Sequence, residues 1–304
     1  MVTLRKILAD IDVLSPHHPA LQRAAELASI TGARLKVVDV LPDVPNAARR
    51  FVTEAVEQEL VDDRLQRVRA AVERLGVTDG VETGVLRGRP ADALAAEAGA
   101  GAFDLIVRRR GPDQGDALPE LGSVDRKLAR QAPCSVWLLA PGPSHAPRRI
   151  LAAVDVGRDA AVRALPPAIL EMAQTIAALD HADVTLFNAY HLNGEEFLAP
   201  YIPAQGIHDL RLEAEREATK ALEDLIANAV PSARPPHVAT AFGEAEAAIP
   251  EFARTHAMDL VVLGSESRSA LARFVLGSTA ERMLHDLEGS LLLVKAPDRE
   301  RRTP

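Results

Sequence analysis

Short runs of apolar residues alternate along this chain with longer amphipathic stretches, and the whole alternation occurs twice. Arg5 to Asp12 reads as a buried strand (Arg-Lys-Ile-Leu-Ala-Asp-Ile-Asp), and Arg149 to Asp155 repeats it (Arg-Ile-Leu-Ala-Ala-Val-Asp). Each run is followed by a polar turn and a helical pattern, Ala20–Ile30 in the first copy and Val162–Ala178 in the second. A second strand comes next, Leu35–Leu41 or Val184–Tyr190, and then a long helix over roughly Ala55–Leu75 or Leu210–Ala229. Third strands end at Gly88 and Gly243 and lead into amphipathic helices over Pro90–Ala98 and Glu244–Thr255.

From here the two copies keep a constant register. Fourth strands open at Asp104-Leu105-Ile106-Val107 and Asp259-Leu260-Val261-Val262, last helices at Gly122-Ser123 and Gly277-Ser278, and closing strands cover Ser135–Leu139 and Ser290–Val294. Strands that alternate with helices and are rich in Val, Ile and Leu predict a parallel sheet covered on both faces, because each crossover helix buries its apolar stripe on the sheet. The expected fold class is therefore α/β: two tandem, open, parallel five-stranded sheets with helices on both faces. Residues 141–148 carry three prolines and one glycine and are expected to link a first domain, 1–140, to a second, 149–304.

At 304 residues, 47% hydrophobic and 26% charged, the chain has the length and composition for two cores of about 150 residues each. The formal charge of −8 argues against a nucleic-acid surface, which needs a basic stripe, and Arg108-Arg109-Arg110 is too short to reverse that balance. No run of apolar residues approaches a bilayer span, and no apolar signal region precedes the first strand, so no membrane partner is expected. The single cysteine, Cys134, forms no intrachain disulfide and fits a reducing cytoplasm.

The stretch richest in chemistry is Gly264 to Arg282, which leaves a strand, crosses a loop and opens a helix at Gly277-Ser278-Thr279. Unpaired backbone N–H groups at a helix start lie at the positive end of the helix dipole, and glycines let a phosphate approach them. Ser278 and Thr279 add hydroxyl donors, although the same residues serve equally as a helix cap. The nine histidines show no zinc spacing; His17-His18 would need ligands from elsewhere, and no metal is expected. No Walker loop, dinucleotide turn or nucleophile elbow is present, and neither Asp12-Val13-Leu14-Ser15 nor Asp155-Val156-Gly157-Arg158 has the Ser-Gly-Gly loop of an ATP pyrophosphatase.

Gly264, Gly277 and Ser278 resemble the Gly-x-x-Gly, nine-residue gap and Gly-Ser/Thr pattern of the universal stress protein family, with Ser267 in place of the second glycine. The resemblance runs over both halves and is closer in the second, since Arg109 and Pro112 stand where the first half would carry the loop glycines. It implies a non-catalytic or weakly catalytic stress-response and survival protein, with ATP or a related adenine nucleotide held in the second half. Its implied site is Val154, Asp155 and Ala189 at the nucleoside and Gly264, Ser265, Ser267, Gly277, Ser278 and Thr279 at the phosphates. Asp155 and its counterpart Asp12 are read equally well as strand-end carboxylates capping the next turn. The family habit of pairing through last strands implies that Ser135–Leu139 and Ser290–Val294 meet as an intramolecular pseudo-dimer, with which a further homodimer is compatible. The alternatives are a scaffold or interaction protein with both sites vestigial, and a slow ATPase for which no residue recommends itself as general base. An insert, His191 to Ile207, bears Phe197 and Tyr201 and is expected to pack on the linker or to cover an apolar cavity.

Overall fold

The computed structural model describes residues 4–44, 50–77, 80–111, 122–141, 146–156, 164–192, 194–265, 287 and 289–295. By internal contacts the chain forms two compact units, one made of Thr3–Ala146 with Ser290–Leu293 and the other built on Pro147–Gly289.

In the first unit the strands are β1 (Lys6–Asp10), β2 (Arg34–Leu41), β3 (Val81–Arg87), β4 (Leu105–Arg109) and β5 (Ser135–Leu139). The helices between them are α1 (Pro19–Thr31), α2 (Glu54–Leu75), α3 (Pro90–Ala100) and α4 (Ser123–Gln131). The five strands are mutually parallel in the order β3-β2-β1-β4-β5. Right-handed crossovers then put α1 and α2 on one face and, once the path reverses after β3, α3 and α4 on the other. Accordingly α1 lies on β1, β2 and β4, α2 on β2 and β3, and α3 packs on both the sheet and α4. Ile7, Leu8, Val37, Val38, Leu105, Ile106, Val107, Trp137 and Leu138 are buried on the strands, and Ala20, Leu21, Ala24 and Leu27 of α1 close over them. Burial on both faces is why these strands read as continuous apolar runs rather than as an alternation.

A sixth strand joins this unit. The chain's last strand, Ser290–Lys295, runs antiparallel to β5, with Leu291 opposite Leu138, Leu292 opposite Trp137 and Leu293 opposite Val136. The meeting of Ser135–Leu139 with Ser290–Val294 that the family resemblance implied is thus present. It covers the buried apolar residues Val136, Trp137 and Leu138 on an edge that would otherwise template association.

The second unit repeats the plan with β6 (Arg149–Ala153), α5 (Leu165–Asp180), β7 (Asp183–Tyr190), α6 (Glu195–Leu198), α7 (Ala204–Ala227), β8 (His237–Phe242), α8 (Ala245–Thr255) and β9 (Leu260–Ser265); the closing strand described above is β10. Its parallel order is β8-β7-β6-β9. Phe187 of β7 packs on Phe252 of α8 with ring centroids 4.7 Å apart. The long helix starts earlier than the sequence periodicity suggested, because Pro203 immediately before Ala204 supplies a start inside the insert.

Both units are clasped at the lower end of the sheet by the same device. The Asp104 carboxylate accepts the backbone N–H groups of Arg5 (2.7 Å) and Lys6 (3.0 Å), and Asp259 accepts those of Arg148 (2.8 Å) and Arg149 (2.9 Å). One carboxylate thereby ties the start of each unit's first strand to the start of its fourth, beside the backbone bonds from Asp104 N–H to the Lys6 carbonyl and from Asp259 N–H to the Arg149 carbonyl, each 2.9 Å. Asp104→Ala and Asp259→Ala are each expected to cost about 1–2 kcal/mol of stability in their own unit, read by urea unfolding. A loss of only a few tenths would show the clasp to be solvent-replaceable.

Candidate functional site

In a doubly wound sheet the loops after two adjacent strands part in opposite directions at the point where strand order reverses, leaving a crevice at their carboxyl ends. In the second unit these strands are β6 and β9. Ile150, Leu151 and Ala152 stand opposite Leu260, Val261 and Val262, so the register carries Val154 and Asp155 to the level of Gly264 and Ser265. On the other side of β6, Ala153 is opposite Phe187, which brings Ala189 toward the same end. Of the nine residues expected at this site, the structure therefore gathers five: Val154, Asp155, Ala189, Gly264 and Ser265. Ser267, Gly277, Ser278 and Thr279 lie outside the described residues.

Local contacts give these five different parts. Val154 is buried, and its N–H donates to the Phe187 carbonyl at 2.9 Å, extending the β6–β7 ladder beyond the last strand residue. Asp155 is exposed at the mouth, whereas Ala189 and Ser265 are partly buried. Gly264 has a packing reason to be glycine: a Cβ there would sit 2.3 Å from Leu165 Cδ2 and 3.1 Å from Ile169 Cδ1. The close approach of α5 to β9 thus depends on this residue, as in close helix–strand packing generally. Gly264→Val is expected to destabilise the second unit by about 1–3 kcal/mol through overpacking, seen as a lowered melting transition. An unchanged Tm would mean that α5 has room to move.

Asn188 escaped the sequence reading. It is buried, and its side-chain N–H donates to the Val154 carbonyl at 2.8 Å, fixing the backbone from which Asp155 projects. The signal available was internal: in the repeat, Asn188 falls on Asp39, and Asp39 Oδ1 likewise reaches the loop after the first strand, accepting from Val13 N–H at 3.4 Å.

The corresponding crevice of the first unit, between β1 and β4, is built from charged side chains. Asp10 stands opposite Arg108 across the ladder, and Arg108 lies 3.2 Å from the Asp10 carboxylate and 3.0 Å from that of Asp125. Asp39 pairs with Arg64 of α2 at 2.8 Å. Asp125 is fully buried and Arg110 nearly so. Asp12 spends its carboxylate locally, accepting the Leu14 N–H at 2.9 Å, which is the turn-capping alternative weighed for it. His17 and His18 gather no ligand set: among the described residues no group of three His, Cys, Asp or Glu side chains is placed to hold a metal.

Burial sets the protonation of this cluster. It pushes the Asp10 carboxyl up from 3.8 to about 6 against the opposing pull of Arg108, with Asp39, Asp125 and Asp12 adding repulsion. Asp39 is raised by the same cause, opposed by its hydrogen bond to Arg64. A folded-state value above that of the unfolded chain means that the native form keeps a proton the unfolded form has lost. The stabilisation from this group is therefore full below the unfolded pKa and is lost as pH rises through about 6. Asp10→Asn should raise the first unit's Tm at about pH 7.5 relative to wild type and leave it nearly unchanged at about pH 4. An identical pH slope in both proteins, measured by calorimetry, would contradict this.

The insert after β7 does not enter a core. Phe197 and Tyr201 are 73% and 79% exposed, with ring centroids 5.9 Å apart. Arg211 of α7 pairs with Glu195 of α6 and places its guanidinium 4.3 Å from the centre of the Phe242 ring. Residues 142–145 of the linker, on which the insert was expected to pack, lie outside the described residues.

A doubly wound parallel sheet, present twice, with its crevices at β1/β4 and β6/β9, defines an open α/β protein. The sequence profile of the Universal stress protein family matches residues 3–140 and again 147–295, and the chain belongs to that family. Among curated relatives it is similar to Universal stress protein E of Salmonella typhi, 26% identical with 100% of this chain and 98% of the relative covered. It is likewise similar to Universal stress protein E of Escherichia coli (strain K12), 25% identical over 98% of this chain and 96% of the relative. Among solved structures, a putative universal stress protein from Pseudomonas aeruginosa UCBPP-PA14 superposes with a TM-score of 0.64 at 25% identity, covering 96% of this chain and 93% of the other. A universal stress protein from Archaeoglobus fulgidus DSM 4304 shares the fold with a TM-score of 0.54 at 16% identity, covering 96% and 98%.

Proposed function

We infer that this universal stress protein binds ATP or a related adenine nucleotide in its second unit and acts as a cytoplasmic stress-response and survival factor. The observation that carries the inference is the convergence of Val154, Asp155, Ala189, Gly264 and Ser265 on the carboxyl ends of β6, β7 and β9, where open α/β sheets take their ligands. Asp155, exposed at the mouth, supplies acceptors for ribose or adenine donors. Ser267, Gly277, Ser278 and Thr279, which follow β9 in sequence, complete the proposed site. The domains of this proposal are 1–140 and 149–304, joined by 141–148. Among the described residues no helix is long and apolar enough to cross a membrane.

A scaffold with both crevices vestigial is the competing function. The packing requirement at Gly264 favours it, since that glycine is explained without a ligand. Calorimetric titration of the full chain with ATP separates the two. The nucleotide reading predicts saturable heat that Gly277→Val lowers at least tenfold in affinity, about 1.4 kcal/mol or more. No heat and no thermal shift at millimolar ATP would leave the scaffold.

A further inference from the structure

In the first unit an anion already occupies the crevice. The Asp125 carboxylate, with no exposed surface, sits between two backbone donors from different segments: Oδ2 accepts from the Gly111 N–H at 3.1 Å, just past β4, and from the Gly122 N–H at 3.3 Å, at the start of α4. Oδ1 lies 3.0 Å from Arg108 Nε, and Arg108 also lies 3.2 Å from the Asp10 carboxylate. An aspartate at the third helical position that satisfies only its own cap is ordinary capping. Here it also closes a bond to the residue just past β4 and forms an ion pair with a guanidinium, so two backbone donors and one positive charge converge on one buried carboxylate. Gly111 turns its N–H inward at φ 153°, a conformation that favours glycine.

The internal repeat gives a second, independent line. In the constant register that sets Asp104 on Asp259 and Gly122 on Gly277, Asp125 falls on Ala280 and Arg108 on Leu263. The half that carries the glycines and hydroxyls thus has neither a carboxylate nor a guanidinium at these two positions. The half that lost the loop has both.

We propose that Asp125 is a built-in anion: its carboxylate fills the anion place of the first unit's crevice and keeps phosphate-bearing ligands out of it. The site differs from an open oxyanion site in that its occupant belongs to the chain. Removing the carboxylate leaves the Gly111 and Gly122 N–H groups and the Arg108 guanidinium facing a void of matching charge, and a small oxyanion from solution replaces it.

The test uses the full chain with Asp125→Ala and, as the milder change that keeps a capping hydroxyl, Asp125→Ser. Thermal unfolding is followed in sodium chloride, sodium formate and sodium phosphate at matched ionic strength, with wild type in parallel. Formate has the size of the deleted group. Both variants should melt lower than wild type in chloride and regain Tm saturably in formate and in phosphate, while wild type shows no comparable shift. The gain should vanish when Arg108→Gln is added. Equal responses of variant and wild type would overturn the proposal, as would variants that stay unfolded in all three salts. Rescue by formate without phosphate would show a cradle too small for a phosphate group and would overturn the claim of exclusion.

Discussion

Everything here follows from the handedness of the parallel crossover. A right-twisted strand followed by a right-handed helix returns to its sheet on one side only, so the direction in which strands are added decides which face each helix covers. The strand order β3-β2-β1-β4-β5 forces one reversal, after β3, and that reversal opens the crevice at β1 and β4. The same constraint acts on β8-β7-β6-β9 and opens a second crevice at β6 and β9. The polar residues of interest lie at these two places because the helices bury nearly everything else on the sheets.

The repeat then turned one geometry to two uses. At the second crevice the strand ends carry small residues, Ala189, Gly264 and Ser265, with the Asp155 carboxylate at the mouth. At the first they carry Asp10, Asp39, Arg108 and Arg110, linked to Arg64 and Asp125 from the surrounding helices. Burying that many charges is costly unless they are mutually paired, and the raised pKa values of Asp10 and Asp39 record the unpaid part of the desolvation. Such a cluster rigidifies a crevice more readily than it offers it to a ligand.

Most of the fold was legible because it rests on periodicity. The apolar runs at Leu35–Leu41 and Val184–Tyr190 mark β2 and β7 to within one residue, since strands buried on both faces leave no other reading. The pairing of β5 with β10 was legible only through the family resemblance, since apolar residues such as Val136, Trp137, Leu292 and Leu293 serve core burial equally well. The site was only partly legible. Gly264 was read for phosphate, and its contact with Leu165 depends on a helix approach that spacing does not encode. Asn188 and Asp125 act through the backbone of residues far away in sequence, Val154 and Gly111, so no local pattern announces them. The register between the two halves was the one signal that could have, by setting Asn188 on Asp39 and Asp125 on Ala280.

The central claim is that one crevice is open to an adenine nucleotide and the other is closed by the chain itself. A crystal structure of the full wild-type chain grown with millimolar ATP tests it most directly. The account predicts nucleotide density at the carboxyl ends of β6 and β9, with Asp125 still seated between Gly111 and Gly122. Nucleotide at the β1 and β4 crevice, or at neither, would contradict it.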